Sequence, residues 1–276
     1  MQAITLNCKH LLYLLVLLLS VKNGFSQLRF TNEIGVVLGP VAFQSDFGER
    51  EDFETNSGNT GFGIGLVHYM NFTYLRRYNS RTSSNFFNQH FKVRNELSYN
   101  RTQLNHFGRW VDEARTSENA ERLRNHSGTA SNVNIGTQLE FHFKSIKAFE
   151  AMEFALMPYI SIGAQYTLFA PTVETSYGTG AISDPNNFYQ PWVNATNPNF
   201  SEDNFLFDGR SSTFSLVGSV GTRYKLSPLS DLVFDLKWQY FFDDKVDGLD
   251  HNLQSNKSND WLVWFNIGYI HYLDIY

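Results

Sequence analysis

Cysteine is almost missing from this chain of 276 residues, and no long hydrophobic run follows its N-terminal region. The single cysteine, Cys8, precedes the first apolar segment, so no disulfide bond stabilises the rest of the chain. No later segment approaches the ~18 unbroken apolar residues of a membrane-spanning helix. Basic residues are also few, with 22 Lys and Arg against 27 Asp and Glu. The resulting charge of −5 argues against a nucleic-acid partner, which requires clustered positive charge.

Residues 1–26 predict a secretory signal peptide. Lys9 supplies a positive charge, an apolar core follows at Leu11–Leu19, and the small residues Gly24 and Ser26 precede an expected cleavage site. A membrane anchor is the alternative, but this core is about half the length of a spanning helix. We therefore expect residues 27–276 to form one exported domain, which is either soluble or spans a membrane as strands.

Aromatic residues are abundant, with 25 Phe, 14 Tyr and 5 Trp, although the mean hydropathy of the chain is only −0.32. A helical membrane protein would be more hydrophobic, because entire segments of it lie in lipid. A lipid-facing barrel needs apolar residues only at alternate positions of each strand, and long polar loops lower the average further. The composition therefore favours a barrel.

Alternation of apolar and polar residues recurs in segments long enough for a tilted strand to cross the hydrocarbon layer. In the second segment, for example, Phe62, Ile64 and Leu66 share one face while glycines occupy the other. Eight such segments predict eight strands: Phe30–Gln44, Gly61–Tyr74, His90–Leu104, Asn132–Phe143, Phe154–Phe169, Ser212–Leu226, Leu232–Phe242 and Trp261–Leu273.

These segments predict an all-β fold, an eight-stranded antiparallel transmembrane β-barrel with long extracellular loops, in contact with the lipid of the bacterial outer membrane. The apolar faces end in Tyr, Trp and Phe, as interface girdles do, and the connections alternate between long and short. The second connection, Leu75–Gln89, is longer than a tight turn requires. A soluble β-sandwich is the alternative, because its strands alternate in the same way.

Charged residues occupy the polar face of several predicted strands, which is the inward face of a barrel. An eight-stranded barrel is just wide enough for side chains to fill, and buried charges require partners. We therefore predict an internal network of ion pairs, with a proton or ion path as the alternative. Its members are Glu33, Lys92, Arg94, Glu96, Glu140, Arg223, Lys225, Asp235 and Lys237.

The predicted outer loops offer weaker signals. We expect a short amphipathic helix within Trp110–Asn125. The last outer loop carries four carboxylates that are candidate Ca²⁺ ligands, although their spacing departs from the EF-hand pattern. The alternative is a charged loop tip that faces lipopolysaccharide through bridging cations. The four candidate ligands are Asp243, Asp244, Asp247 and Asp250.

Catalytic signatures are not apparent, and we expect neither an enzyme nor a cofactor. His68 lies on an apolar face and His142 on a polar face, without an acidic or serine partner that the sequence can place. A lipid-modifying enzyme is one alternative function. A surface adhesin that works through the aromatic-rich loop Ala170–Ser211 is another, because such a loop is expected either to fold back on the barrel mouth or to meet a partner.

The two ends of the predicted barrel carry three distinctive stretches: Asn32–Gly39 (NEIGVVLG), Tyr240–Asp247 (YFFDDKVD) and Ser258–Trp261 (SNDW). Together with the strand layout, they resemble the small PorG-like outer-membrane barrels of the type IX secretion and gliding machinery. These stretches belong to strands and loops and contain no catalytic motif. The resemblance implies a non-enzymatic accessory subunit of an envelope complex, whose protein partners form a periplasmic ring of lipoproteins tied to the outer membrane.

Overall fold

A computed structural model of the protein describes residues 31–49, 52–72, 86–196, 205–251, 253 and 259–273. The predicted signal peptide and most of the second connection, 75–89, lie outside the described residues. The strands are β1 (Thr31–Gln44), β2 (Thr60–Asn71), β3 (Phe91–Asn105), β4 (His126–His142), β5 (Leu156–Phe169), β6 (Thr172–Thr175), β7 (Ser211–Ser227), β8 (Ser230–Phe241) and β9 (Trp261–Tyr272). The helices are α1 (Phe53–Asn56), α2 (Phe86–His90), α3 (Glu118–Arg124), α4 (Ile146–Glu150) and α5 (Gln190–Thr196), with 3₁₀ turns at Gly108–Trp110 and Pro185–Asn187.

The long strands form a closed antiparallel barrel. Each pairs with the next along the chain, β3 pairs with β4, and β9 returns to pair with β1. The short β6 pairs only with the beginning of β4, so the barrel wall in the described residues contains eight strands. This confirms the predicted eight-stranded barrel and excludes two stacked open sheets. The largest boundary error is at β4, which begins at His126 rather than Asn132.

The pairing register fixes the dimensions of the barrel. Following cross-strand partners once around the wall from Ile34 leads back to β1 at Gln44, ten residues further along the strand. With eight strands, this stagger corresponds to a strand tilt of about 40° and to an interior that side chains can fill. The connections 45–59, 106–125, 170–210 and 242–260 emerge at one end, here called the outer end. The connections 72–90 and 143–155 and the two-residue turn Pro228–Leu229 lie at the other, the inner end.

The outside of the barrel is an apolar belt. Its side chains are about half exposed, for example 54% for Leu66, 63% for Ile162 and 57% for Val220. Aromatic side chains lie towards both rims of this belt, such as Tyr240 near the outer end of β8 and Tyr224 near the inner end of β7. An eight-stranded closed barrel with such a belt is the architecture of bacterial outer-membrane proteins, whose backbone amides must all pair within the wall.

Helices contribute little to the fold. Among the described residues, no helix is both long and apolar enough to cross a membrane. The helix expected within Trp110–Asn125 is α3, and the Ser117 side chain caps it by accepting a hydrogen bond from the Ala120 amide.

The seam between β1 and β9 is interrupted halfway. Pairs run from Glu33 to Leu38 and resume at Val41, and Gly39 and Pro40 are skipped. Proline has no amide hydrogen to donate and is normally confined to edge strands or irregular positions. The seam that closes the barrel therefore has fewer pairs than the opposite side of β1, where pairing with β2 is continuous.

Candidate functional site

Charged side chains fill the inner part of the barrel interior. All nine predicted inward charges lie inside, none more than 5% exposed. They are joined by Asp231, which is fully buried and which the sequence analysis missed. Asp231 and Asp235 lie four residues apart on β8 and therefore face the same side of the sheet. Extending the predicted strand Leu232–Phe242 by one residue at its start would have included Asp231. Five carboxylates then face five cations: Glu33, Glu96, Glu140, Asp231 and Asp235 with Lys92, Arg94, Arg223, Lys225 and Lys237.

One part of this network lies near the inner end. Glu33 accepts hydrogen bonds from Lys92 and from Arg223, whose Nη1 lies 2.5 Å from Glu33 Oε2. Asp231 contacts the same guanidinium at 3.4 Å and Lys225 Nζ at 3.1 Å. Each carboxylate therefore bridges two cations, which offsets the cost of removing these charges from water.

A second part lies higher in the interior. Arg94 reaches Glu96 at 2.8 Å and Asp235 at 2.9 Å, and Lys237 reaches Glu96 at 2.5 Å. Glu140 joins the two parts, because its carboxylate lies 3.8 Å from Arg94 and 3.7 Å from Arg223. The fully buried charges number five of each sign, and Glu150 of α4 adds one partly exposed carboxylate 4.0 Å from Lys92 at the inner end. The network therefore provides little excess charge to select ions of one sign.

Uncharged polar groups form the next layer towards the outer end. Gln239 Nε2 donates to Asn134 Oδ1 and to Ser215 Oγ, both at 2.9 Å, and Thr167 donates to the same Asn134 oxygen at 2.7 Å. The buried Trp264 ring covers Lys237 Nζ at 4.3 Å from its centroid. The interior thus changes from charged to neutral polar groups as it approaches the mouth.

The inner end is covered by α4, which lies between β4 and β5. Ile146 and Phe149 are fully buried and pack with Met157. Lys225 Nζ lies 5.1 Å from the centroid of the Phe149 ring. The helix therefore places apolar side chains beneath the charge network. No periodicity in the sequence signalled this short element.

The outer loops pack together over the barrel mouth in an assembly here called the outer head. Phe47 from the first loop packs against the rings of both His106 and His126, with centroid distances of 5.0 and 4.9 Å, and the two imidazoles share a hydrogen bond of 2.7 Å. Trp192 from the third loop stacks on His251 from the fourth at 5.2 Å. The described parts of the long loop Ala170–Ser211 therefore fold back on the mouth, which was one of its two expected arrangements.

Three buried carboxylates meet within the outer head. The Asp46 amide donates to Asp247 Oδ2 at 2.8 Å, and the Asp247 amide donates to Asp260 Oδ2 at 3.1 Å. Burial raises the pKa of Asp247 to about 8 and, together with the neighbouring carboxylates, raises the pKa values of Asp46 and Asp260 well above their usual range.

Two histidines beside these carboxylates are held neutral. Burial lowers the pKa of His251 to about 4 and that of His106 to about 3. His251 Nε2 lies 3.6 Å from Asp46 Oδ2. Because burial favours the neutral form of both partners, we treat this as a polar contact rather than an ion pair.

The four candidate Ca²⁺ ligands do not converge. Asp247 is buried and accepts backbone amides, whereas Asp250 is 43% exposed and lies 3.7 Å from Lys245. Asp243 accepts the Lys245 amide within its own turn. Within the described ranges, no group of three or more His, Cys, Asp or Glu side chains is arranged to hold a metal ion.

The two histidines considered for catalysis lie on opposite faces of the wall. His142 is buried inside, with Nε2 at 3.3 Å from Glu140. His68 faces the lipid and belongs to a row of hydrogen bonds across four strands. Thr137 donates to Asn95 at 2.8 Å, Asn95 to His68 Nδ1 at 3.3 Å, and His68 Nε2 to Asn32 at 3.1 Å. Both ring nitrogens of His68 are thus engaged, which satisfies polar groups at lipid depth.

A cavity of about 210 Å³ opens in the outer head beside the stacked rings. Its walls combine aromatic side chains with the polar groups of Asp46 and Glu49. At the rim, Glu49 accepts from Arg109 Nη2 and from Trp110 Nε1, both at 2.7 Å. The aromatic and histidine residues of the lining are Phe47, His106, Phe107, Trp110, Tyr189, Trp192 and His251.

No family model and no curated protein matches the sequence. The solved structures that are similar to this chain include three at 12% identity. The match with Neisserial surface protein A covers 87% of this chain and 96% of the Neisserial chain, with a TM-score of 0.41. Ail of Yersinia pestis, solved in complex with the heparin analogue sucrose octasulfate, covers 88% and 98% with a TM-score of 0.39. A major outer membrane protein of Thermus thermophilus covers 88% and 99% with a TM-score of 0.42. The fold assignment rests on the strand pairing of this chain itself.

Proposed function

We propose that the protein is a non-enzymatic barrel of the bacterial outer membrane that does not conduct solutes and serves as a scaffold subunit of an envelope complex. The observation that carries this proposal is the filled interior. A balanced network of buried charges occupies it, α4 covers the inner end, and the packed loops of the outer head cover the mouth. Such a barrel holds its two ends at fixed positions on either side of the membrane.

Conductance tests the first part of this proposal. The protein reconstituted into planar phospholipid bilayers should show no discrete current steps. The variant Arg94→Ala with Glu96→Ala, which removes two large side chains from the interior, should conduct more than the wild type if the network is what fills the lumen. Stable wild-type channels of uniform conductance would contradict the proposal.

The resemblance to PorG-like barrels supports a finer proposal, that the partners are periplasmic lipoproteins of a secretion or gliding complex. A photo-crosslinking residue at Lys147, which is exposed on α4 at the inner end, should capture them in native outer membranes. The same residue at Val220, in the apolar belt, is the matched control and should capture mainly lipid and lipopolysaccharide. A barrel that captures no protein from position 147 would contradict this partner.

Surface recognition is a second candidate function, favoured by the cavity of the outer head. Trp110 is 36% exposed at its rim, whereas Phe53 in the first loop is 85% exposed and lies outside the lining. If the head is an adhesin, Trp110→Ala should reduce the attachment of whole cells to a host surface, and Phe53→Ala should not. Equal attachment of the wild type and both variants would leave the scaffold as the better proposal.

A further inference from the structure

A groove of about 620 Å³ lies on the lipid-facing surface where β5, β7 and β8 meet, and it extends towards the outer ends of β9 and β1. Gly218 forms its floor. Cross-strand register places Gly218 between Ile162 on β5 and Trp238 on β8, so a position without a side chain is flanked by two large ones. The outward-facing residues of the lining are Gln44, Ile162, Leu216, Gly218, Trp238, Tyr240 and Trp261.

Strand positions set the direction of this groove. Trp261 is the first residue of β9 and Gln44 the last of β1, so both lie at the outer rim of the wall. Gly218 lies seven residues into β7 from its outer end at Ser211. At a tilt of about 40°, each strand residue descends roughly 2.5 Å along the barrel axis. Gly218 is therefore roughly 17 Å below that end and roughly 10 Å below Phe214, the first apolar belt residue of β7, which is within the hydrocarbon thickness of about 15 Å in one leaflet.

The chemistry of the groove changes along its length. At the outer rim the lining includes the Gln44 amide, the Tyr240 hydroxyl and the Trp261 indole. Below them it is formed by Leu216, Ile162 and the face of Trp238. A polar end towards the membrane surface and an apolar end within the outer leaflet match the head and tail of a single lipid.

We propose that this groove binds one acyl chain of an outer-leaflet lipid, with the lipid head group beside the outer rim. The proposal rests on the barrel spanning the membrane. An acyl chain is already out of water, so the hydrophobic effect does not favour the groove over the surrounding bilayer. Retention comes from van der Waals contact with a concave wall, which a flat sheet surface does not provide. The volume lies within the range of small-molecule sites.

Gly218 offers a direct test because its surroundings leave room for a side chain. A Cβ built there would meet the Ser161 carbonyl oxygen at 3.4 Å, an ordinary contact. Gly218→Leu should therefore fold and fill the groove from its floor. Thr222→Leu is the matched control, since Thr222 faces outward on the same strand but lies outside the lining.

The measurement is native mass spectrometry of protein extracted from native outer membranes in mild detergent. Folding is checked by the change in electrophoretic migration when the sample is heated. Wild type and Thr222→Leu should retain one lipid per barrel, and Gly218→Leu should retain at least tenfold less. Trp238→Ala, which removes a wall instead of filling the floor, should also lose the lipid. This readout is independent of conductance and of protein crosslinking.

Equal lipid retention by the wild type and Gly218→Leu would overturn the proposal, as would a folded wild type without bound lipid. A polypeptide bound at this face, released by Gly218→Leu, would assign the groove to a protein partner and would overturn it too.

Discussion

Glu33 accepts hydrogen bonds from two cations in the barrel interior, Lys92 and Arg223. Neither cation has access to water, because both side chains are fully buried. Removing one member of a buried ion network leaves its partners uncompensated, which costs far more than the intact network contributes. The charge at this single position is therefore critical to the network.

Glu33→Gln should lower the free energy of unfolding by about 3–5 kcal/mol. The physical reason is that Lys92 and Arg223 would remain charged and buried with one carboxylate fewer. Urea unfolding in lipid vesicles, followed by electrophoretic migration, measures the change. Glu153→Gln, at an exposed position outside the barrel, is the control and should leave the midpoint unchanged. An unshifted midpoint for Glu33→Gln would show that the network does not stabilise the fold.

At the level of strands and helices, alternation made most of the wall predictable. Each strand has one face in lipid and one in the interior, so its side chains must alternate with period two. The start of β4 was predicted six residues too late. The first six residues of that strand, His126–Ser131, are mostly small or polar and therefore show no apolar alternation.

Contacts between distant loops were not predictable in the same way. Folding back on the mouth was one of two arrangements expected for the third outer loop, but the contacts among the rings of Phe47, His106 and His126 join residues far apart in the chain. Such contacts depend on the barrel closing first and bringing the strand ends together. Likewise, α4 has five residues, too few for a helical period to be recognised in the sequence.

The inner cover formed by α4 gives a prediction at this scale. Phe149→Ala should destabilise the barrel by about 3 kcal/mol, because it leaves a cavity beside Ile146 and removes the ring that contacts Lys225. Hydrogen exchange of the β4–β5 connection should rise with it. Lys147→Ala, on the exposed side of the same helix, should change neither quantity. If hydrogen exchange of the β4–β5 connection is as slow in Phe149→Ala as in the wild type, α4 does not cover the inner end.

For the molecule as a whole, the outer head should respond to pH. Asp247 has a pKa of about 8 in the folded protein, raised by burial above its unfolded value of about 4. A group whose pKa is raised on folding contributes stability that is complete below the unfolded value and is lost as the pH rises through the folded one. Asp46 and Asp260 shift in the same direction.

The buried histidines of the outer head, His106, His126 and His251, act in the opposite sense, because burial lowers the pKa of each. Their pKa values, about 3 for His106 and about 4 for His251, are lowered by burial from about 6.5. Their contribution is complete above pH 6.5 and is lost as the pH falls towards the folded values. Between pH 6.5 and 8 the carboxylates alone change protonation, so the stability of the outer head should decrease across that window.

Limited proteolysis of the outer loops should therefore become faster as the pH rises from 6.5 to 8. Asp247→Asn should flatten this dependence, because the amide cannot ionise. Asp112→Asn changes an exposed carboxylate of the second outer loop, between β3 and β4, and should leave the pH dependence of proteolysis as in the wild type. A slope that Asp247→Asn leaves unchanged would show that other groups control the head.

The skipped pairs at Gly39 and Pro40 bear on how the barrel comes apart. A barrel that is pulled apart sideways should open between the two strands that share the fewest pairs, and here these are β1 and β9. A force applied between β1 and β9 should therefore separate these two strands before any other pair. Replacing Pro40 with a residue that can donate its amide should raise the rupture force measured by single-molecule pulling.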